Sequence, residues 1–335
     1  MQKQSLFLRI IRKRIIVMIL LLVVMLAVFT VLTTPNNSVA EVFSGKSIIL
    51  NPRIIANIFN AMPLSAFLTT GITLLMISGK LDLSTGANAT LCAIMVAFLL
   101  REGAPLIVAI PVTLVTGVLV GFVNAALVNE LRVAPFIGTL ATSSIATGLV
   151  YFIANKNTID VINPIMRAYG KNMVLQYIPI TALFAFGFMI ISGIILHNTS
   201  FGRKIYLVGG NPQASMLSGV NPKRMSYILF MICGLFAGFA GVTFAARQQS
   251  ANMLGMTAAR FQGITAAVLG GIAFGGGTGG MAGAFVGLLV LNLFSNGMTV
   301  MGVHPSVQNI ASGLLLIFAL TLDFFQKKQS EKVIA

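Results

Sequence analysis

Charged residues are scarce in this sequence of 335 residues. Asp, Glu, Lys and Arg make up only 9% of it, whereas 57% of the residues are hydrophobic. Soluble domains average about 25% charged residues. The chain therefore has too little polar surface to cover a water-soluble globule of its length. This scarcity excludes a soluble protein and predicts an integral membrane protein.

Residues that could serve as catalytic groups or metal ligands are also few. Cys92 and Cys233 are the two cysteines, and both lie in apolar runs without a CxxC or CxxxH context. This context indicates small packing residues instead of redox groups or metal ligands. His197 and His304 are isolated, and no Ser/His/Asp or Cys/His set can be assembled. The sequence predicts no metal site and a chain that is not an enzyme on its own.

Long apolar runs separate the few charged segments. Most of these runs are long enough for an α-helix to cross the roughly 30 Å hydrocarbon core, and none shows the alternation of a barrel strand. We therefore predict an all-α polytopic membrane protein with about ten transmembrane helices. The predicted spans are 15–33, 61–78, 85–101, 105–128, 135–154, 177–197, 226–246, 262–275, 280–299 and 307–325.

The distribution of basic residues predicts the orientation. An even number of spans places both termini on one side, and most of the 22 Lys and Arg residues then fall on that side, as expected for the cytoplasm. The net charge of +15 is explained in this way, without a nucleic-acid partner. The predicted regions are a cytoplasmic N-terminus (1–14), a transmembrane domain (15–326) and a cytoplasmic tail (327–335). A loop at about 198–225 is predicted to be cytoplasmic, and 155–176 to be external.

The loop at 198–225 contains the longest polar stretch of the chain. It carries a basic pair, the turn "GGNP", the sequence "QASMLSGV" and the basic end "NPKR". "QASMLSGV" predicts one or two helical turns that end at Gly219, with Met216 and Leu217 available to insert into a partner. The alternative is an ordinary connection with a solvated helix.

The sequence "GKLDLSTG" places Asp82 at a predicted membrane boundary. An intramembrane carboxylate can serve as a proton or ion site. Alternatively, Asp82 caps the helix that begins near Ser84 or pairs with Lys80. The second interpretation is favoured, because proton-coupled carriers usually bury more than one titratable group.

Four motifs resemble the permease subunits of monosaccharide ABC importers, the group of the ribose, xylose and arabinose permeases. "FGRKIYLVGGNPQASMLSGVN" is similar to the group's Phe-Gly-Arg segment with its Gly-Gly-Asn turn, and "GKLDLSTG" is similar to its Gly-Gly-Ile-Asp-Leu-Ser motif. "LRVAPFIGTLAT" and "ITAAVLGGIAFGGGTG" also match group patterns. The resemblance runs from about Leu64 to the C-terminus. The chain departs from the group at Lys80, where glycine is usual, and at Arg260 and Gln262, where acidic residues are usual.

The resemblance implies a fold like that of type II ABC importers in the bacterial cytoplasmic (inner) membrane. Two permease subunits, a homodimer or a pair with a second similar permease, would form the pathway in the lipid bilayer. A separate ABC ATPase subunit would bind ATP, so this chain would bind no cofactor. An extracytoplasmic solute-binding protein would deliver a monosaccharide or a similar small neutral polar solute.

The resemblance also implies roles for particular residues. Those expected to contact the ATPase are Asn211, Ala214, Met216, Leu217, Ser218 and Gly219. Those expected to hold the loop ends at the inner membrane surface are Arg203, Lys204, Lys223 and Arg224. Those expected at the pathway or its gate are Asp82, Ser84, Arg260 and Gln262.

Two other functions stay open at the level of sequence. An ion-coupled secondary carrier would need no ATPase. The same type of importer could instead carry a nucleoside, an amino acid or a signalling furanose, since specificity depends largely on the partner binding protein.

Overall fold

The structure is a computed structural model that describes residues 2–34, 49, 51–174, 177–256, 259–315, 317 and 321. The side chains of 2–15, 52–54 and 260 are not described. Most of the described residues are helical. The helices are α1 (Gln2–Leu32), α2 (Pro52–Ile77), α3 (Thr85–Arg101), α4 (Leu106–Asn129), α5 (Pro135–Ala154), α6 (Pro164–Lys171), α7 (Ile180–Asn198), α8 (Ser200–Gly210), α9 (Pro212–Leu217), α10 (Pro222–Gln248), α11 (Ala259–Leu269), α12 (Met281–Val300) and α13 (305–315).

Four two-residue strands accompany the helices in the part of the chain that the structure describes. They are β1 (Ile159–Asp160), β2 (Met173–Val174), β3 (Ile178–Pro179) and β4 (Ser250–Ala251). β1 pairs antiparallel with β4, and β2 pairs antiparallel with β3. The β1–β4 pair joins the segment after α5 to the segment after α10.

Six helices in the described part of the chain are long and apolar enough to cross a membrane. The candidate spans are Ile55–Ile77, Leu106–Asn129, Pro135–Ala154, Ile180–Asn198, Pro222–Gln248 and Met281–Val300. Ile16–Leu32 and Thr85–Arg101 are shorter apolar helices. The prediction of a mostly helical, polytopic membrane protein is confirmed, whereas the count of about ten spans stays a prediction.

Predicted and observed helix bounds agree at 85–101 and 135–154. One departure that matters for the fold is the predicted span 262–275, because α11 ends at Leu269. The residues that follow form turns, with positive φ angles at Gly271, Gly276, Gly277 and Gly279. The 11 residues of α11 cover about 16 Å, roughly half of the hydrocarbon core. The predicted span 262–275 is therefore too long at its C-terminal end.

Helix α10 lies at the centre of the bundle and packs against α2, α3 and α4. The contact between α4 and α10 depends on glycine. A Cβ atom at Gly117 would lie 2.5 Å from the carbonyl oxygen of Gly234 and 3.3 Å from Cα of Gly238. These positions therefore need residues without a side chain, as the four-residue spacing of these glycines indicates.

The connections between helices gather at two opposite ends of the bundle. At one end, the amide of Gly277 donates to the carbonyl of Ile77 (2.8 Å), and the Tyr206 hydroxyl donates to the carbonyl of Gly279 (2.7 Å). Residues 199–221, which we call the polar segment, lie at this end, and we call it the polar-segment end. The opposite end contains α6 and the β1–β4 pair, and we call it the strand end. The predicted separation of 200–224 from 155–174 onto opposite ends is observed.

Candidate functional site

Residues 199–210 begin the polar segment with a helix that sequence analysis missed. The Thr199 hydroxyl accepts a hydrogen bond from the amide of Gly202 (3.3 Å) and caps α8. Ile205 and Val208 are buried on one face of α8. The predicted turn at "GGNP" therefore begins only after Gly210. The glycine pair at the end of α8 predicted a turn instead of a helix. The helix is stabilised by its cap and by its buried face.

Residues 211–220 contain the predicted short helix, α9, with its two caps. The Asn211 side chain accepts from the amide of Ala214 (3.0 Å), and Pro212 occupies the first turn, where its missing N–H costs no hydrogen bond. Gly219 ends the helix with a φ of 76°, in the left-handed region that favours glycine. The amide of Val220 donates to the carbonyl of Ser215 (2.9 Å) and closes the end. The predicted helix and its glycine stop are confirmed.

An exposed apolar pair lies on α9. Met216 is 65% exposed and Leu217 is 92% exposed, so neither side chain is buried by the rest of the chain. The other residues expected to contact the ATPase, Asn211, Ala214, Ser218 and Gly219, are also exposed. α9 therefore presents an apolar tip in a polar surrounding at one end of the bundle.

Arg203, Lys204, Lys223 and Arg224 are all exposed beside this tip. The Lys223 ammonium lies 2.7 Å from Oε2 of Glu130, and the Tyr227 hydroxyl donates to Oε1 of Glu130 (2.8 Å). The hydrogen bond from Lys223, and then that from Tyr227, lowers the pKa of Glu130. Glu130 follows α4, so this contact ties the start of α10 to the end of α4. Sequence analysis gave no signal for it.

A groove of about 890 Å³ runs beside α9 at the polar-segment end. Lys80, Arg132 and Lys223 line it together with Met216. The Lys80 ammonium donates to Oδ1 of Asn129 (3.3 Å), and burial lowers the pKa of Lys80. The groove is therefore bordered by basic groups and by part of the exposed apolar pair.

Asp82 is fully buried in a network of neutral donors. Its Oδ1 accepts from the amide and the hydroxyl of Ser84 (2.7 and 2.6 Å), and its Oδ2 accepts from Nδ2 of Asn124 (3.2 Å). The Thr142 hydroxyl donates to Oδ1 of Asn124. Asp82 has no cationic partner among the described residues, because Lys80 bonds to Asn129 instead. The alternative of a pair with Lys80 is wrong, whereas Asp82 does bond to the residue before α3.

The four residues expected at the pathway do not lie together. Asp82 and Ser84 are buried near the polar-segment end. Gln262 is exposed at the start of α11 and lines a different pocket, with Asn292, Ser295 and Asn296 of α12. The side chain of Arg260 lies outside the described residues. In the part of the chain that the structure describes, no group of three His, Cys, Asp or Glu residues could hold a metal ion.

Known proteins resemble the chain over most of its length. A protein family described as "branched-chain amino acid transport system / permease component" matches residues 54–320. The ribose import permease protein of Bacillus subtilis is 30% identical over 276 residues, which cover 82% of this chain and 85% of that protein. The galactose/methyl galactoside import permease protein of Escherichia coli (strain K12) is 31% identical over 291 residues, covering 80% and 85%. No solved structure matches the chain.

Proposed function

The chain belongs to the family of branched-chain amino acid transport system permease components, and from its relatives we propose that it is the membrane-spanning permease subunit of an ATP-driven monosaccharide importer. One observation carries the proposal: relatives that align over about four-fifths of the chain are import permeases for ribose and for galactose. The solute is then a monosaccharide or a similar small neutral polar molecule. The comparisons give no support to an ion-coupled carrier or to a nucleoside, amino acid or furanose cargo.

The protein is a multi-pass protein of the bacterial inner membrane. We place about ten spans within 15–326 and both terminal regions, 1–14 and 327–335, in the cytoplasm. The tail 327–335 lies outside the described residues. The positions of 199–221 and 155–174 at opposite ends of the bundle support this arrangement. The polar segment then faces the cytoplasm, and the strand end faces outward.

The ATPase docks on α9 in this proposal. Six residues form the contact: Asn211, Ala214, Met216, Leu217, Ser218 and Gly219. Burial of an exposed Met or Leu side chain contributes about 1.5–3 kcal/mol, so Met216 and Leu217 supply most of the attraction. The groove beside α9 receives the neighbouring surface of the ATPase. ATP is bound and hydrolysed on that partner, and this chain binds no cofactor.

Movement of α9 reaches the spans through the two ends of the polar segment. α8 packs against the end of α7, and the Lys223–Glu130 contact ties α10 to the end of α4. Since α10 packs against α2, α3 and α4, a displacement of its first turn is passed to three spans. Arg203, Lys204 and Arg224 lie at the inner surface, where basic side chains are favoured near anionic lipids.

The pathway is proposed to run between two sets of residues. Asp82 and Ser84 belong to the gate at the polar-segment end, where their network joins α3, α4 and α5. Arg260 and Gln262 border the pathway at the strand end. A second permease subunit, identical or similar, completes the pathway, and an extracytoplasmic binding protein delivers the solute. No nucleic acid takes part.

The proposal is tested by co-expressing the chain with its ATPase and its binding protein. We expect the binding protein to retain a neutral monosaccharide. When it is loaded with that sugar, it should stimulate ATP hydrolysis by the reconstituted complex above the rate with the empty binding protein. Retention of a charged amino acid, or hydrolysis that does not respond to any loaded binding protein, would contradict the proposal.

A further inference from the structure

A pocket of about 220 Å³ lies towards the strand end between α2, α11 and α12. Its described lining residues are uncharged, and most carry an amide or a hydroxyl. The polar ones are Gln262, Asn292, Ser295, Asn296 and Thr299. Such a concentration of amides and hydroxyls is unusual in helices that are otherwise apolar. The pocket lies far from the buried Asp82 network, close to the opposite end of the bundle.

Part of the hydrogen-bonding capacity of these side chains is unused. Nδ2 of Asn292 donates to the carbonyl of Leu288 (2.9 Å) and to the Ser65 hydroxyl (3.4 Å). Nδ2 of Asn296 donates to the carbonyl of Asn292 (2.9 Å). These bonds fix both amide groups, while their Oδ1 atoms accept no hydrogen bond from the described residues.

Gln262 and Ser295 add to this capacity from two helices. Neither the Gln262 amide nor the Ser295 hydroxyl has a side-chain hydrogen bond within the described part of the chain. A glutamine amide both donates and accepts, as does a serine hydroxyl, whereas an asparagine Oδ1 only accepts. The pocket therefore offers donors and acceptors on both α11 and α12, without a charge among its described lining residues.

We propose that this pocket is a binding site for one neutral polyhydroxylated solute on its way into the pathway, an inference that rests on the proposed function. Hydroxyl groups of the solute donate to the Oδ1 atoms of Asn292 and Asn296 and exchange hydrogen bonds with Gln262 and Ser295. The volume is below the roughly 300–1,000 Å³ of pockets for drug-sized ligands, which suits a single small solute. The absence of charge among the described lining residues suits a neutral solute, because an ion in such a setting needs a counter-charge.

Protection of a cysteine in the pocket tests binding directly. Ser295→Cys is made after both native cysteines have been replaced by alanine, and the rate of its reaction with a membrane-impermeant thiol reagent is measured in the reconstituted complex. We expect ribose, galactose or fructose at high concentration to slow the reaction several-fold, and glycine betaine at the same concentration to leave it unchanged. Asn157→Cys, exposed at the strand end but outside the pocket, should react equally with and without sugar.

Uptake by side-chain variants is the second measurement. Gln262→Met and Asn296→Leu each remove hydrogen-bonding groups while keeping similar size, and each should lower the rate of sugar uptake by about threefold to tenfold. Gln248→Met makes the matched change at an exposed glutamine outside the pocket and should leave uptake unchanged. ATPase co-purification should be the same for all three variants.

Three outcomes separate the explanations. If the wild-type complex takes up a sugar but Ser295→Cys is not protected by it and Gln262→Met transports normally, the pocket is not a solute site, although the proposed function stands. If Ser295→Cys reacts in the isolated chain but not in the complex with or without sugar, the pocket is an interface between permease subunits, and the proposal is overturned. If the wild-type complex takes up no sugar at all, the proposed function itself fails.

Discussion

Replacing Leu217 by aspartate tests the docking of α9 on the ATPase. The Leu217 side chain is 92% exposed, so the substitution removes almost no contact within the chain and should leave its folding and membrane insertion intact. If the side chain is buried by the ATPase, its loss costs about 1.5–3 kcal/mol. An unpaired carboxylate at the contact adds a further penalty of about 1–3 kcal/mol. Together these costs come to about 2.5–6 kcal/mol, so the affinity for the ATPase should fall by about fiftyfold or more.

Co-purification of the ATPase with the permease in detergent measures this affinity, and sugar-stimulated ATP hydrolysis and uptake measure coupling in reconstituted complexes. All three should fall together. Ile162→Asp is the matched control, because Ile162 is 94% exposed at the strand end, and it should retain the ATPase. Normal co-purification and normal uptake with Leu217→Asp would show that the ATPase does not dock on α9 and that the polar segment is an ordinary connection.

Three further predictions concern the same structure. Gly219→Val should reduce uptake without reducing the amount of permease in the membrane, because a left-handed φ costs valine on the order of 1 kcal/mol; Gly219→Asn should keep most of the uptake, and equal uptake by both variants would contradict this explanation. Asp82→Leu should lower the thermal unfolding temperature in detergent, because it leaves the buried donors without an acceptor, at a cost of about 1–3 kcal/mol in the free energy of unfolding. Asp82→Asn should have a smaller effect. An unfolding temperature equal to that of the wild type for Asp82→Leu would show that the network does not stabilise the fold. In a background without native cysteines, Asn172→Cys but not Gln213→Cys should react with an impermeant thiol reagent on cells whose outer envelope admits it, and the reverse pattern would invert the topology.

The spans were predictable where local sequence determines them. The bounds of α5 follow from Pro135 at its first turn and from Asn155, whose φ of 46° ends it in a left-handed conformation. In contrast, the end of α11 depends on glycines after Leu269 that form turns packed against Ile77 and Gly209. That packing is tertiary, so the apolar run alone predicted too long a helix.

The candidate site was predictable only in part for the same reason. The short helix α9 and its stop at Gly219 follow from neighbouring residues. The long-range partners of Asp82 and Lys223 do not, because Asn124 lies 42 residues from Asp82 and Glu130 lies 93 residues from Lys223. The pocket at Gln262 also joins α2 to α11 and α12, which lie far from α2 in sequence. No local pattern indicates such pairs.

The energy source for uptake distinguishes an ATP-driven importer from an ion-coupled carrier. Labelled ribose, galactose or fructose is offered with the loaded binding protein to proteoliposomes that contain the permease and its ATPase. Uptake is expected only when ATP is present on the ATPase side, with no requirement for an ion gradient. Uptake driven by a proton or sodium gradient in vesicles without ATP would contradict this expectation.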